Sequence, residues 1–177
     1  MSNTPKLRPD WLLEFFKENL EEDEGKIYWK VSSPFRDMNK PLGNLTHKGY
    51  LEKAFFKGDK SVAVKIHHLV WFLTKGYWPT LQIDHINGIK TDNRIENLRQ
   101  VTNKQNSWNQ TSVKGTSSVY KGVTWNKRLR KWNAQIKVNG KLIHLGTFDK
   151  EWEAAWDYNM KAIELFGEFA KLNTRVN

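Results

Sequence analysis

The residues best suited to acid–base and metal chemistry lie in one short stretch of the chain, residues 83–106. Asp84 directly precedes His85, and Asn97 and Asn106 follow within the same stretch. Carboxylate and amide oxygens are ligands for hard divalent cations, and an imidazole with a pKa near ~6.5 can accept a proton from water at neutral pH if an acceptor holds its other nitrogen as N–H. This combination predicts phosphodiester hydrolysis. We expect His85 to act as the base and Asn97 to orient it, with Asp84 and Asn106 as metal ligands.

The elements that must position these side chains can be predicted from the same stretch. Residues 82–86 are typical of a strand end, Asn87-Gly88 of a turn, and residues 97–101 of a second strand. Thr102-Asn103-Lys104-Gln105 matches a capping box, which would place Asn106 about one turn inside a helix. Strand, loop, strand and helix could bring the four residues together.

This stretch resembles a known nuclease family. Ile66-His67-His68-Leu69-Val70, Asp84-His85, Asn97-Leu98-Arg99 and Asn106 together are similar to the HNH (ββα-metal) homing endonucleases of phages. The resemblance implies that Asp84 and Asn106 bind the metal, that His85 is the general base and that Asn97 orients it. Many members of the wider superfamily carry His at the position of Asn106, so Mg²⁺ is a better expectation than zinc, and Mn²⁺ is also expected to work.

The same residues also have simpler interpretations. An Asp-His pair or an Asn-Gly turn is commonplace, so the prediction depends on the joint spacing of the motif. His67 and His68 are expected to pack in the core or face phosphate rather than to catalyse. A degenerate HNH fold that binds DNA without cutting it remains the alternative.

The amino-acid composition limits the classes of molecule that the protein is expected to bind. The 177 residues carry 29 Lys and Arg against 19 Asp and Glu, a formal net charge of +10, which favours nucleic acid or an anionic surface. The absence of Cys excludes disulfides, Cys-based zinc sites and thiol catalysis. The longest apolar run, residues 69–73, is far shorter than the roughly 20 residues of a membrane span. Double-stranded DNA is the expected partner, with no membrane. RNA binding is a weaker alternative because no single-strand stacking motif is evident.

The pattern along the chain predicts an α+β protein with two domains. An HNH endonuclease domain spans 1–110, with 1–24 as a helical N-terminal extension, and 111–117 form a linker. Residues 118–177 form the second domain. The expected helices are 11–20, 67–74 and 149–166, and the expected further strands are 25–30, 49–56, 61–66, 121–125, 131–138 and 141–148.

Residues 118–177 resemble a second known family. Tyr120-Lys121-Gly122-Val123, His144-Leu145-Gly146-Thr147-Phe148 and Ala170-Lys171-Leu172-Asn173 are similar to the plant ethylene-response-factor (Apetala-type) DNA-binding domain. The resemblance implies a small three-stranded antiparallel sheet packed on one helix, with its other face in the major groove. Residues 114–141 contain eight basic residues and no acidic one, which agrees with that placement. Thr124, Asn126 and His144 depart from the plant pattern, so the target sequence cannot be transferred.

The residues expected on the DNA-binding face combine basic and amide side chains. Arg and Lys would mostly contact phosphates, while Gln135, Asn126 or Arg128 could read base edges. The expected residues are Lys121, Thr124, Trp125, Asn126, Lys127, Arg128, Arg130, Gln135, Lys137, Lys141 and His144.

Taken together, the sequence predicts a site-preferring DNA endonuclease of the homing type, with a non-catalytic DNA-binding regulator as the alternative. It would use one divalent metal and nick DNA as a monomer, or make double-strand breaks as a homodimer. Met1 to Asp10 has no apolar segment typical of a signal peptide. A cytoplasmic location is expected, in the bacterial host if the protein is phage-encoded.

Overall fold

A computed structural model describes residues 5, 6, 8–109 and 117–174. The chain divides into two compact units, with the division between Asn103 and Lys104. Both units mix helices with small antiparallel sheets, so the predicted α+β class is confirmed. None of the helices in the described part of the chain is long and apolar enough to span a bilayer. The predicted linker, 111–117, lies outside the described residues except for its last position, and the predicted domain boundaries stay a prediction.

The first unit begins with a helix and a hairpin. Helix α1 spans Asp10–Asn19 and buries Leu12 and Phe16. Strands β1 (Leu20–Asp23) and β2 (Lys26–Trp29) pair antiparallel. The two residues between the strands, Glu24 and Gly25, both have positive φ, which is the geometry of the tight hairpin turns that match strand twist.

A three-stranded sheet and a buried helix complete the core of the first unit. The sheet has the order β3-β4-β5, formed by Asn44–Leu45, Leu51–Lys57 and Lys60–Lys65. Helix α2, Ile66–Lys75, is buried from Ile66 to Phe72 and ends at Gly76 in the left-handed conformation. The buried residues of α2 share one core cluster with residues of α1, β1, β2, β4 and β5. The helix is therefore enclosed rather than exposed on one face.

The stretch that carries the predicted chemistry forms a second hairpin. Strand β6 spans Gln82–His85 and is buried throughout, and β7 spans Leu98–Val101. They pair antiparallel, with Asp84 opposite Arg99 and His85 opposite Leu98. A 3₁₀ turn, Ile95–Asn97, precedes β7, and helix α3, Asn103–Trp108, follows it. The strand–loop–strand–helix order predicted from the sequence is present.

The second unit is a three-stranded sheet on one helix. Its strands are β8 (Val123–Asn126), β9 (Lys131–Val138) and β10 (Lys141–Phe148), in the order β10-β9-β8. Helix α4, Glu151–Phe166, packs on the sheet through alanines and Tyr158. A Cβ on Gly122 would lie 2.1 Å from the Tyr158 ring, so a residue without a side chain is required there. A 3₁₀ turn, Gly167–Phe169, follows α4.

Candidate active site

Asp84 is a buried carboxylate with a charged partner. It lies on β6 with 9% of its surface exposed, and the Arg99 side chain on β7 donates to it. Arg99 Nε and one terminal nitrogen lie 3.1 and 3.0 Å from the same oxygen, Oδ2. An ionised carboxylate offers about four acceptor positions over two oxygens, so pairing with Arg99 is compatible with a cation on the same group. The ion pair also offsets the cost of burying this charge.

His85 is a buried imidazole whose hydrogen bond defines its tautomer. The Nε2 atom lies 2.9 Å from Oδ1 of Asn93, and a carboxamide oxygen can only accept, so Nε2 carries the hydrogen. Burial lowers the pKa of His85 from its ordinary value, and the Asn93 hydrogen bond and the nearby Asp84 oppose this effect. The ring is therefore neutral at neutral pH, which is the state a general base needs.

The side chain that bonds to His85 is Asn93, and the orienting role expected of Asn97 stays a prediction. The side chain bound to His85 Nε2 is that of Asn93, which is 2% exposed, whereas Asn97 bonds within the β6–β7 loop. Asn97 Oδ1 accepts from the backbone N–H of Asn87 at 3.0 Å, and its Nδ2 donates to Asn87 Oδ1 and to the carbonyl of Asp92. The Asn97 side chain therefore ties together the loop that carries Asn93, and the Asn97 carbonyl accepts from the backbone N–H of Ile86, next to His85, at 2.9 Å. The motif pointed to Asn97, and no sequence pattern singled out Asn93.

A network of polar side chains further fixes this loop. Arg94 donates from Nε and a terminal nitrogen to the two oxygens of Asp92, each at 2.9 Å. Asn87 also donates to Asp92, at 2.8 Å. The Arg94 hydrogen bond is the largest of the influences that lower the pKa of Asp92 to about 2. The carboxylate stays ionised over the whole neutral range and holds the loop closed.

The β1–β2 turn packs directly against the same loop. A Cβ placed on Gly25 would lie 2.4 Å from the backbone nitrogen of Arg94 and 2.6 Å from the carbonyl carbon of Asn93. Contacts that short do not occur in proteins, so the turn touches the loop backbone to backbone. The position of Asn93 thus depends on a glycine far away in sequence.

A cluster of aromatic and histidine rings surrounds His85. The His67 ring centroid lies 5.1 Å from that of His85, and the Tyr50 centroid lies 6.0 Å from it. His67 and His68 are buried, as the sequence predicted for packing residues. Burial lowers the pKa of His67 well below its usual value and that of His68 to about 3. Both rings are neutral and add no charge next to the base.

Two buried polar atoms in this cluster have no hydrogen-bond partner among the described residues. They are Nδ1 of His67 and Nδ2 of Asn93. A buried unpaired polar group costs about 1–3 kcal/mol, and such groups in a folded protein call for a functional or solvent explanation. Their place beside His85 is consistent with a site that bonds to substrate or water.

Asn106 lies in the middle of helix α3 and is partly exposed. The second unit begins at Lys104, so Asn106 and all of α3 except its first residue belong to that unit. In that unit the helix is held by Trp108, whose ring stacks on Phe166 at 4.6 Å. The joint role of Asn106 and Asp84 in binding a metal stays a prediction. Within the described residues, no group of three or more His, Asp or Glu side chains could hold a metal ion.

The strand register of the second unit divides the predicted DNA-binding residues between two faces. We call the face away from α4 the outer face. The alternation of side chains places Thr124, Asn126, Gln135, Lys137 and His144 there, since Val123, Ala134 and Ile136 point inward. Lys127, Arg128 and Arg130 form the turn between β8 and β9, which we call the basic turn.

Three of the predicted residues do not lie on the outer face, and their part in DNA binding stays a prediction. Trp125 pairs with Trp132, and their rings contact at 4.9 Å on the side that packs on α4. Lys141 is opposite Val138 on that same side. Lys121 Nζ donates to the carbonyl of Trp108 at 2.5 Å, and burial lowers its pKa to about 8. Alternation from the inward Val123 could have revealed the side of Trp125.

The outer face contains polar residues that the sequence analysis did not select. Lys131 and Asn133 alternate with the inward residues of β9, and Thr147 is opposite Asn133 on β10. The Thr147 hydroxyl donates to Asn133 Oδ1 at 3.0 Å. Asn126 Oδ1 accepts from the backbone N–H groups of Arg128 and Leu129, each at 3.1 Å, so this oxygen closes the basic turn.

A neutral, hydrogen-bonded histidine beside a buried carboxylate on a β-hairpin suits the chemistry of a hydrolytic nuclease. Comparison with known proteins agrees with this class. Residues 64–108 match the family described as "HNH endonuclease". "Uncharacterized HNH endonuclease L560" of Acanthamoeba polyphaga mimivirus is 35% identical over 130 residues, covering 72% of this chain and 67% of that protein. The chain belongs to the HNH endonuclease family.

Two further relatives come from phages. "Protein 3.8" of Escherichia phage T7 is 33% identical over 120 residues, which cover 67% of this chain and 94% of that protein. "DNA endonuclease I-HmuI" of Bacillus phage SP01 is 42% identical over 74 residues, 41% of this chain and 42% of that protein. A solved structure titled "DNA binding and cleavage by the HNH homing endonuclease I-HmuI" covers 55% of each chain at 31% identity with a TM-score of 0.44.

The chain is therefore an endonuclease of this family, and the expected nuclease activity is confirmed at that level. HNH nucleases generally depend on a divalent metal. These relatives do not support the alternative of a non-catalytic regulator. No comparison bears on the ethylene-response-factor resemblance of residues 118–177, although the sheet and helix predicted for that region are present.

Proposed function

We propose that this chain is a homing-type endonuclease that hydrolyses DNA with one divalent cation and with His85 as the general base. The observation that carries the proposal is the hydrogen bond between His85 Nε2 and Asn93 Oδ1 inside a buried site. With its hydrogen on Nε2, the ring presents Nδ1 to accept a proton from the attacking water. Asn93 is thus a positioning residue, and it takes the role that the sequence assigned to Asn97.

Asp84 and Asn106 are the proposed protein ligands of the cation. A carboxylate and an amide oxygen match the preference of Mg²⁺, which keeps several waters and binds through few protein groups. The two Arg99 hydrogen bonds fix Asp84 through Oδ2. When bound, the cation would polarise the phosphoryl oxygen and offset charge on the leaving oxygen. We propose Mg²⁺ as the usual ion and Mn²⁺ as a substitute.

The second unit is the proposed anchor on double-stranded DNA. Its outer face and the basic turn join amide, hydroxyl and basic groups on one continuous side of a sheet. A two- or three-stranded ribbon fits the major groove, which is about 12 Å wide. This support comes from the fold of the unit and from the sequence resemblance of residues 118–177. The basic residues would bind phosphates, and Gln135 would read a base edge.

The stoichiometry follows from the number of sites. One His85 serves one phosphodiester, so a monomer bound once would nick a single strand. A double-strand break would need two copies of the chain. Tethering the second unit to the nuclease raises the local concentration of DNA at the site.

Cleavage of supercoiled DNA tests this function. The purified protein with Mg²⁺ should convert supercoiled circles to nicked circles, and chelation with EDTA should stop the conversion. His85→Ala should abolish nicking with DNA affinity nearly unchanged, whereas His47→Ala, which alters an exposed histidine, should nick like the wild type. Full activity of His85→Ala would disprove the role of His85, and linear product at low protein concentration would disprove nicking by the monomer.

A further inference from the structure

An aromatic groove lies on the first unit, lined by α1, β2, β4 and the loop after β2. It encloses about 510 Å³, which falls within the range of about 300–1,000 Å³ seen for small-molecule sites. Six of its lining residues are aromatic, and none is acidic. These aromatic residues are Trp11, Phe15, Trp29, Phe35, Phe55 and Phe56.

The floor of the groove is rigid. Phe15, Trp29 and Phe55 contact one another edge to face, with each pair of ring centroids 6.2 Å apart. Trp29 and Phe55 are buried, with 8% and 6% of their surface exposed. The floor is therefore part of the packed core and does not need to reorganise when something binds above it.

The rim of the groove exposes large aromatic side chains to solvent. Phe35 is 97% exposed and Phe56 is 75% exposed. Phe35 lies in a tight turn in which Ser33 and Arg36 bond reciprocally through their backbones, at 2.8 and 3.0 Å. Pro34 precedes it and sets the backbone of such a turn. The turn holds the Phe35 ring outward, where it buries almost no apolar surface in the chain itself.

Cationic side chains lie next to the aromatic rings of the groove. The Arg36 guanidinium carbon lies 4.5 Å from the centroid of Trp29 and 5.7 Å from that of Phe15. The same side chain donates to Asn19 Oδ1 at 3.1 Å, which fixes its orientation. Lys57 Nζ lies 4.2 Å above the Trp11 ring, and Lys53 also lines the groove.

We propose that this groove binds an unstacked nucleobase of the DNA, with the adjacent phosphates on Arg36 and Lys53. A nucleobase has two flat apolar faces and is joined to anionic phosphate, so it complements aromatic walls with a cationic, carboxylate-free rim. Aromatic side chains combined with a positive groove form the usual site for single-stranded DNA. An apolar protein segment would satisfy the rings but would leave the cations of the rim without anionic partners.

Binding to short oligonucleotides tests the proposal without any cleavage. The full chain is titrated in EDTA with a ten-nucleotide thymidine strand that carries one central 2-aminopurine, and separately with a fully paired duplex. Stacking in the groove should quench 2-aminopurine fluorescence. Phe35→Ala and Phe56→Ala should each weaken binding of the single strand by about five- to 150-fold, which corresponds to about 1–3 kcal/mol per stacked base. Because no metal is present, the result does not depend on the proposed nuclease mechanism.

Matched controls separate stacking from loss of fold. Trp156→Ala removes an aromatic ring that is 58% exposed on α4, outside the groove, and should leave single-strand affinity within twofold of the wild type. Arg36→Lys keeps the charge but loses the planar group over Trp29, so it should also weaken the single strand. Wild-type affinity in both Phe variants would overturn the proposal. So would a concentration-dependent dimer that either Phe variant abolishes, because the groove would then hold a second copy of the chain.

Discussion

Replacing Asn93 with alanine tests the part of the site that the fold adds to the sequence motif. The substitution leaves His85 in place but removes the acceptor at 2.9 Å from Nε2. A buried donor left without a partner costs about 1–3 kcal/mol. If this cost raises the activation free energy of the catalysed step, kcat falls by about five- to 150-fold, since 1.36 kcal/mol corresponds to a factor of ten. This is smaller than the 10²- to 10⁴-fold contribution of a general base, because the base itself remains.

The assay is single-turnover nicking of supercoiled DNA over a range of pH. Because Asn93 raises the pKa of His85 against the effect of burial, its removal should lower that pKa further. The acidic limb of the rate profile, on which the rate rises as the base loses its proton, should therefore shift to lower pH. DNA affinity should be unchanged, and imidazole nitrogen shifts in NMR should show loss of the single Nε2–H tautomer. Asn93→Asp keeps an acceptor and should retain more activity than Asn93→Ala.

Two results would refute this reasoning. An Asn93→Ala enzyme that is folded and as active as the wild type would show that the hydrogen bond does not serve catalysis. A loss of DNA affinity equal to the loss of rate would show that Asn93 acts through binding. Asn44→Ala, in a short exposed strand outside the site, provides a matched asparagine control that should behave as the wild type.

Three further outcomes are expected. Gly25→Ala should lower both activity and thermal stability, whereas Gly140→Ala, at the same φ of +81° with nothing within 4 Å, should affect stability alone, as thermal melts and nicking rates can show. Because burial lowers the pKa of His68 to about 3, the unfolded chain binds an extra proton below about pH 6.5, so the free energy of unfolding should fall as the pH drops, by about 1.4 kcal/mol per unit for this residue. His68→Gln should remove this contribution to the pH dependence of the free energy of unfolding, as denaturant titrations at several pH values can show, and His47→Gln should not. Alanine at all three positions of the basic turn should flatten the log–log salt dependence of DNA binding by up to about 2.7, and an unchanged slope would exclude the turn from the interface.

The hairpin that carries the site was predictable because the residues that mark its turn and its strand ends are local in sequence. The Asn87-Gly88 turn and the alternation around it fix β6 and β7 without reference to the rest of the chain. The hydrogen bond to His85 was not predictable in this way. Which side chain bonds to His85 depends on how the eleven-residue loop from 87 to 97 folds back. Asn93 and Asn97 are only about one turn apart within this loop. The motif includes Asn97 and gives no indication that Asn93 is the partner of His85.

Other differences have equally specific causes. Strand β1 was missed because Leu20–Asp23 is three-quarters acidic, and acidic residues are unfavourable in strands. Its pairing with β2 depends on the positive φ of Glu24 and Gly25, and Glu-Gly is a weaker hairpin marker than Asn-Gly. The side of the sheet on which Trp125 lies could have been predicted, because strict alternation from Val123 already determines it.

The ion pair between Arg99 and Asp84 has a consequence for the protein before any cofactor arrives. A guanidinium already neutralises the central carboxylate from within the same hairpin, with side chains 12% and 9% exposed. Folding therefore need not wait for an external ion, unlike small domains whose charged ligands collapse only around zinc. Chelators should therefore stop cleavage while leaving the melting temperature nearly unchanged, so that the protein without metal is inactive but folded.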